Sequence, residues 1–362
     1  MLRNGYTTGT CATAASLASV IWQTTGKIPD SVEVLLQSGE KLRLEIQEIQ
    51  DSKKYGKFPC GVIKDAGDDM DVTNHCLVIA SVRILAHDGD VKFSAGEGVG
   101  IVTRKGLKVP AGEPAINPAP RAMITKTIRS VIGTKAAYVK ISIPDGEKLA
   151  EKTFNPRLGI QNGLSILGTT GIVRPMSQDA VKESLRLELS MCRAEFGTTC
   201  AFVTGYAGEN YLKKLKKNNI ILCSNYLGYL LDCAEELEFE NILILGRTGK
   251  LTKPAANIMD LHSHTAGGQR EVVCTHAALA GADLTLIREL YHAATTAQMQ
   301  KLLKNDDLDK LVWHSVAEAG AENCELRTHG KIQIAMVLLD EQNQVLAETK
   351  NTEQILKAWL EN

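Results

Sequence analysis

Apolar and polar residues alternate over short runs in the first half of the chain. Residues 32–36 and 41–46 show this period of two, and 76–86, 91–95 and 98–103 continue a strand-rich pattern with Gly and Asp at the turns between them. A stretch rich in Thr, Ala and Ser predicts a helix over about 10–22, opened by the loop Thr8-Gly9-Thr10. Residues 119–132 read as a second helix and 137–143 as a strand. This half is predicted to be α+β, with hairpins.

From about residue 164 the pattern changes. Apolar runs at 164–167, 199–204, 220–223 and 241–245 alternate with helical stretches near 177–196, 209–217, 226–237 and 250–259. Strands alternating with helices imply a mostly parallel sheet covered on both faces, a Rossmann-like α/β domain. Helices dominate from 271 to about 321, and 331–349 reads as a terminal hairpin around Glu341-Gln342-Asn343. The expected division is an α+β domain over 1–155, the Rossmann-like domain over 156–330, and a hairpin and helix over 331–362 that either sheet accommodates. The four runs at 164, 201, 221 and 243 are expected to be parallel neighbours.

The chain has 362 residues, 41 Lys+Arg against 42 Asp+Glu, and a formal net charge of −1, which excludes a strongly basic nucleic-acid binder and an acidic disordered tail. Nine cysteines without a Cys-x-x-Cys pair, several inside apolar runs, read as buried thiols of a reducing compartment. The first residues, Met1-Leu2-Arg3-Asn4-Gly5, lack the regions of a signal peptide, and no chargeless stretch reaches the ~20 apolar residues of a membrane helix. A cytoplasmic protein is expected.

Several motifs are open to a chemical reading. Gly96-Glu97-Gly98-Val99-Gly100 follows a strand, as a ligand loop would, but the residues after it read as strand and turn, as in a hairpin. Gly246-Arg247-Thr248-Gly249-Lys250 links a strand to a helix, a setting for a carboxylate or other anion, yet Ile244 and Leu251 stand where a nucleotide-phosphate loop needs Gly and Ser or Thr. His262, His264 and His276 suit substrate hydrogen bonding or general-base work as well as structural roles, and no familiar zinc spacing surrounds them. Gly67-Asp68-Asp69-Met70-Asp71 is a solvated turn or, with phosphates present, a magnesium ligand set. Arg3, Arg121, Arg157, Arg174 and Arg270 recur in segments rich in Gly, Pro and Asn, where guanidinium groups suit a multiply anionic ligand.

Taken in order, these segments resemble the CbiD family, the cobalt-precorrin-5B C1-methyltransferases of anaerobic cobalamin (vitamin B12) biosynthesis. The resemblance runs through Arg3-Asn-Gly-Tyr-Thr-Thr-Gly-Thr-Cys-Ala-Thr-Ala-Ala15, Gly67-Asp-Asp-Met-Asp-Val-Thr73, Gly96-Glu-Gly-Val-Gly-Ile-Val-Thr103 and Gly112-Glu-Pro-Ala-Ile-Asn-Pro-Ala-Pro-Arg121. Its longest stretch runs from Asn155-Pro-Arg157 through Gly168-Thr-Thr-Gly171 to Arg174-Pro-Met-Ser177, and Ser224-Asn225, the 246–251 loop and the 262–271 segment follow. It covers roughly residues 1–275. The chain departs from the family in carrying Arg247 where His is common and Ala266-Gly-Gly-Gln-Arg270 where an Ala-Asp pair is frequent.

The resemblance implies methyl transfer from S-adenosylmethionine to C1 of cobalt-precorrin-5B, giving cobalt-precorrin-6A. Cobalt then arrives with the substrate, and no protein-bound metal is expected. Implied candidates for the methyl-donor site are Gly96, Gly98, Gly100, Gly168, Thr169, Thr170 and Gly171. Candidates for the corrinoid and its acetate and propionate groups are Thr7, Thr8, Thr10, Arg121, Arg157, Arg174, Lys250 and Arg270, and for a base His264 or Asp69. The loops at 6–10, 96–100, 117–121, 155–157, 168–174 and 246–250 are expected to line one cleft. The partner is a small corrinoid, neither nucleic acid nor membrane, and a homo-oligomer is open. The competing reading is a corrinoid carrier without catalysis, which would lack a site for the methyl donor.

Overall fold

The structure is a computed structural model, and it describes residues 2–175, 178–215 and 217–361. The expected helix start at Ser177, and Lys216 within the expected 209–217 helix, lie outside the described residues. The chain forms two compact units, Met1–Gln178 and Asp179–Asn362.

In the first unit the elements run β1 (Gly5–Tyr6), α1 (Thr8–Thr25), β2 (Ser31–Leu35), β3 (Lys41–Glu45), β4 (Gln47–Glu48), α2 (Ser52–Tyr55), β5 (Cys60–Ile63), β6 (Leu77–Asp88), β7 (Val91–Ala95), β8 (Ile101–Val102), α3 (Pro118–Ile132), β9 (Lys135–Ser142), α4 (Gly146–Ala150), β10 (Ile160–Gln161) and β11 (Ile172–Val173). A five-stranded sheet has the order β4-β5-β6-β9-β7, antiparallel except for the parallel β7–β9 pair, and β2–β3 form a hairpin. Helix α1 is buried from Thr8 to Val20. Its Ala, Ser and Thr side chains are small enough to let the helix backbone approach both α3 and the sheet, where Ala12, Ala15 and Ala18 join Ile124, Ile128, Val78 and Val82 in one core. Thr7 caps the helix, its Oγ1 accepting from the Thr10 N–H at 3.2 Å, and Gly26 ends it in the left-handed region at φ 76°.

The second unit runs α5 (Gln178–Phe196), β12 (Thr199–Val203), α6 (Tyr206–Lys213), β13 (Ile220–Leu222), α7 (Leu227–Glu236), β14 (Asn241–Arg247), α8 (Thr248–Leu251), α9 (Gln269–Leu279), α10 (Leu284–His292), α11 (Thr296–Asn305), α12 (Asp309–Arg327), β15 (Gln333–Leu339), β16 (Val345–Glu348) and α13 (Thr352–Glu361). Its sheet has the order β13-β12-β14-β15-β16, parallel except for the antiparallel edge strand β16. Successive residues of each strand enter different cores. Cys200, Phe202, Ile242, Ile244 and Met336 pack with Leu230, Leu290, Trp313 and Val316 on one face. Ala201, Val203, Leu243, Leu245 and Val337 pack with Leu212, Ile355 and Trp359 on the other. Both faces are covered, so these strands read as continuous apolar runs rather than alternating ones.

Three expectations need correction. The run at 164–167 is no strand of the parallel sheet. Leu164 makes a parallel bridge with Val99 and Ile166 one with Ile116, so this segment packs inside the first unit, and the division falls at Gln178 rather than at residue 155. Apolar runs of this length look alike whether they enter a sheet or thread between loops. The helix expected over 250–259 breaks into α8 and a 3-10 turn at Lys253–Ala256, where Pro254 cannot donate to a continuing helix. The terminal hairpin belongs to the second unit, with β15 beside β14.

Candidate functional site

Five of the six loops singled out from the sequence lie in the first unit, and they bond to one another along the segment 155–174. The Thr7 N–H donates to the Gly171 carbonyl at 3.1 Å, Gly9 to Leu167 at 3.0 Å and Gly100 to Leu164 at 2.9 Å. Asn117 donates to Ile166 at 3.0 Å. The Asn155 side chain donates to the Gly163 carbonyl at 3.1 Å and accepts from Ser165 Oγ at 3.2 Å. The sixth loop, 246–250, belongs to the second unit.

This knot engages groups that the sequence offered to ligands. Thr7, Thr8 and Thr10 are buried, and their hydroxyls face the protein: Thr8 Oγ1 accepts from the Leu167 N–H at 3.0 Å, and Thr10 Oγ1 donates to the Gly171 carbonyl at 2.8 Å. The glycines let neighbouring segments pack against the main chain. A Cβ at Gly98 would overlap the Ile143 carbonyl, one at Gly96 the Ser142 hydroxyl and one at Gly100 the Ile160 side chain. At Gly168 it would overlap Thr7, and at Gly171 it would press on Leu36. Within this loop Thr169 and Thr170 are exposed.

The arginines divide in the same way. Arg121 is held by the carbonyls of Ile116 at 2.8 Å and Pro114 at 3.1 Å, by Glu113, and by the Phe93 ring. Arg3 makes a bidentate pair with Asp65, which lowers that carboxyl's pKa. Arg157 is half-buried, and its carbonyl accepts from Arg104. Arg174 in the first unit and Arg270 in the second are exposed, and among the described residues neither has a bonded partner.

The acidic turn is built around a fully buried cation. Lys64, 1% exposed, donates to Asp71 at 2.5 Å, and Asp71 also accepts from the N–H and hydroxyl of Thr73 at 2.7 and 2.6 Å. Burial works against the Asp71 carboxylate, but Lys64 and Thr73 outweigh it and hold its pKa below the ordinary value. Asp69 is half-buried on the same turn, and Met70 at its tip is exposed.

In the second unit His262 and His264 lie on an exposed turn with their rings edge to face, 4.9 Å apart. The His264 N–H donates to His262 Nδ1 at 3.1 Å, so that nitrogen is unprotonated and the proton of a neutral His262 ring sits on Nε2. His276 sits apart on α9 against Ser315, its pKa lowered by burial. Asp69 and the His262–His264 turn belong to different units. Among the described residues no three His, Cys, Asp or Glu side chains gather as a metal site, and no helix is long and apolar enough to cross a membrane.

A crevice of about 550 Å³ opens in the second unit at the carboxyl ends of β12 and β14, lined by residues 204–208, Gly246, Arg247, Gly249 and Lys250 together with Asn210, Glu341 and Asn343. The chain leaves β12 for β13 on one side and returns to β14 on the other, so the loops after β12 and β14 diverge there. Arg247, the departure from the family pattern, binds Glu341 at 3.2 Å and Asn343 at 3.0 and 3.1 Å on the crevice rim. Lys250 is half-buried and donates to the carbonyls of Thr204 at 3.0 Å and Ser224 at 3.3 Å; burial lowers its pKa. Ser224 holds the left-handed conformation at φ 53°. Sequence reading found Lys250 but not Thr204, Gly205 or Tyr206, because its separate loops meet only through strand order.

Residues 1–175 match the model of the CbiD family, and residues 260–350 match that of the CbiD C-terminal domain. The cobalt-precorrin-5B C(1)-methyltransferase of Alkaliphilus metalliredigens is 42% identical over 360 residues, covering 98% of this chain and 94% of that protein. The protein of the same name from Methanocaldococcus jannaschii is 39% identical over 346 residues, covering 94% of this chain and 95% of that one. The crystal structure of the cobalamin biosynthesis protein CbiD from Archaeoglobus fulgidus is 29% identical, covers 73% of this chain and 83% of that one, and aligns with a TM-score of 0.39. Matches of this extent, spanning both units, place the chain in the CbiD family.

Proposed function

We propose that this protein methylates C1 of cobalt-precorrin-5B to give cobalt-precorrin-6A, with S-adenosylmethionine as donor. The observation that carries the reading is the 42% identity to a cobalt-precorrin-5B C(1)-methyltransferase along 98% of the chain. S-adenosylmethionine supplies a methyl group already activated on a sulfonium. The protein's part is then to hold the acceptor carbon in line with that methyl and to exclude water.

The substrate's acetate and propionate groups call for exposed cations with unsatisfied donors. Arg174 and Arg270 meet that requirement, whereas Arg121 is engaged by its own loop. We assign Arg174, with Arg157 on the same 155–174 segment, to substrate carboxylates. The ring proton lost at methylation goes to Asp69 or to the His264 imidazole. The second unit is read as a Rossmann-like domain on its strand order and two-sided cover.

Incubation of the protein with S-adenosylmethionine and cobalt-precorrin-5B, without added metal or nucleotide, tests this reading by mass spectrometry. One methyl gained per corrinoid is expected. Unchanged corrinoid in the presence of folded protein would contradict it. Asp69→Asn and His264→Gln identify the base: the substitution that lowers kcat while both substrates still bind marks it.

A further inference from the structure

The glycines of the 96–100 and 168–171 loops leave no room for a ligand at their Cα atoms, because protein atoms occupy the space a Cβ would take. The crevice at the ends of β12 and β14 is different. At Gly205, on its β12 side, a Cβ would meet nothing within 4 Å, and at Gly249, on its β14 side, only the Thr296 hydroxyl at 3.8 Å. Each loop therefore carries a glycine whose open side admits another molecule. At about 550 Å³ the space falls within the 300–1,000 Å³ of small-molecule sites.

The groups around this space define the ligand's chemistry. An ammonium has three N–H donors, and Lys250 uses two on main-chain carbonyls, leaving one for a carboxylate in a partly desolvated place. Glu341 pairs with Arg247 through Oε2, and its side chain, 45% exposed, keeps an acceptor for hydroxyl or ammonium groups, whereas the Asn343 amide oxygen already accepts twice from Arg247. Tyr206, 71% exposed at the start of α6, places an aromatic ring on the crevice against which a purine can stack. A carboxylate receiver, an acceptor for hydroxyl or ammonium groups, and an aromatic plate fit a nucleoside joined to an amino acid. A nucleoside polyphosphate fits poorly, since Glu341 repels phosphates and already neutralises Arg247.

We infer that this crevice is the S-adenosylmethionine site, with the donor's amino-acid carboxylate on Lys250 and its adenine on Tyr206. The inference rests on the methyltransferase reading and places the donor in the second unit rather than at the 96–100 and 168–171 loops.

Calorimetry with S-adenosylhomocysteine on the full chain tests it. Gly205→Val fills the open space at a position whose φ of 178° any residue adopts, and Lys250→Met removes the carboxylate donor. Lys250→Met should weaken binding about 10–150-fold, the equivalent of one charge-assisted hydrogen bond, and Gly205→Val about tenfold or more by steric exclusion, while Thr169→Arg in the first unit leaves it unchanged. Hydrogen exchange on the wild-type chain should show ligand protection at 204–210 and 246–250, which covers a variant that fails to fold. Wild-type affinity in Gly205→Val and Lys250→Met, loss in Thr169→Arg, or protection confined to the first unit would overturn the placement. A wild-type chain that neither binds S-adenosylhomocysteine nor consumes S-adenosylmethionine would overturn the methyltransferase reading itself, and the placement with it.

Discussion

Thr8 and Leu167 are joined by a hydrogen bond across 159 positions of sequence, the Leu167 N–H donating to Thr8 Oγ1 at 3.0 Å inside the first unit. Thr8→Val keeps the shape and removes the acceptor, leaving a part-buried N–H unpaired. The expected cost is about 1–3 kcal/mol of stability by chemical denaturation. Affinity for S-adenosylhomocysteine should stay within about twofold, since the bond lies outside the second unit.

Arg174→Ala should raise the corrinoid KM about 10–150-fold and leave affinity for the methyl donor unchanged, because it removes a contact made before methyl transfer. Arg121→Ala should behave in the opposite manner. Its guanidinium ties the Ile116 and Pro114 carbonyls, so the expected loss is in stability, with KM little changed. Steady-state kinetics and denaturation of the two variants side by side separate the roles.

The buried Lys64–Asp71 pair makes a pH prediction. The folded-state pKa of Asp71 lies below its unfolded value of about 3.9, so the pair's contribution is complete above about pH 4 and is lost as pH falls through the lowered pKa. Asp71→Asn leaves a buried ammonium without its counter-charge and should cost about 3–5 kcal/mol near neutral pH. The gap between variant and wild type should narrow below pH 4; a gap independent of pH would show that the charge is not its source.

Eight of the nine cysteines are buried and Cys274 is half-buried. Burial raises the pKa of Cys60 and of Cys223 to about 12. A thiol reagent on the native chain should label Cys274 first and the others only on unfolding. Peptide mapping after brief labelling checks the order.

The sequence made the second sheet legible because strands buried on both faces must be apolar throughout, as at 200–203 and 242–245. The 164–167 run carries the same apolar signal but bonds to loops, which composition does not distinguish from a strand. Thr8 and Gly98 occur in motifs that resemble a ligand site, while the structure gives them partners more than forty positions away. A hydroxyl that bonds a distant main chain and one that awaits a substrate look identical in sequence. Lys250 was visible as a cation after a strand, but its neighbours Gly205 and Tyr206 join it only through the strand order β13-β12-β14.

The most direct test of the central claim is a single turnover with S-adenosylmethionine carrying an isotopically labelled methyl group, with cobalt-precorrin-5B as acceptor and the corrinoid product read by NMR. One labelled methyl at C1 for each S-adenosylmethionine consumed is the predicted result. Tight corrinoid binding with no S-adenosylmethionine consumed would contradict it and favour a carrier.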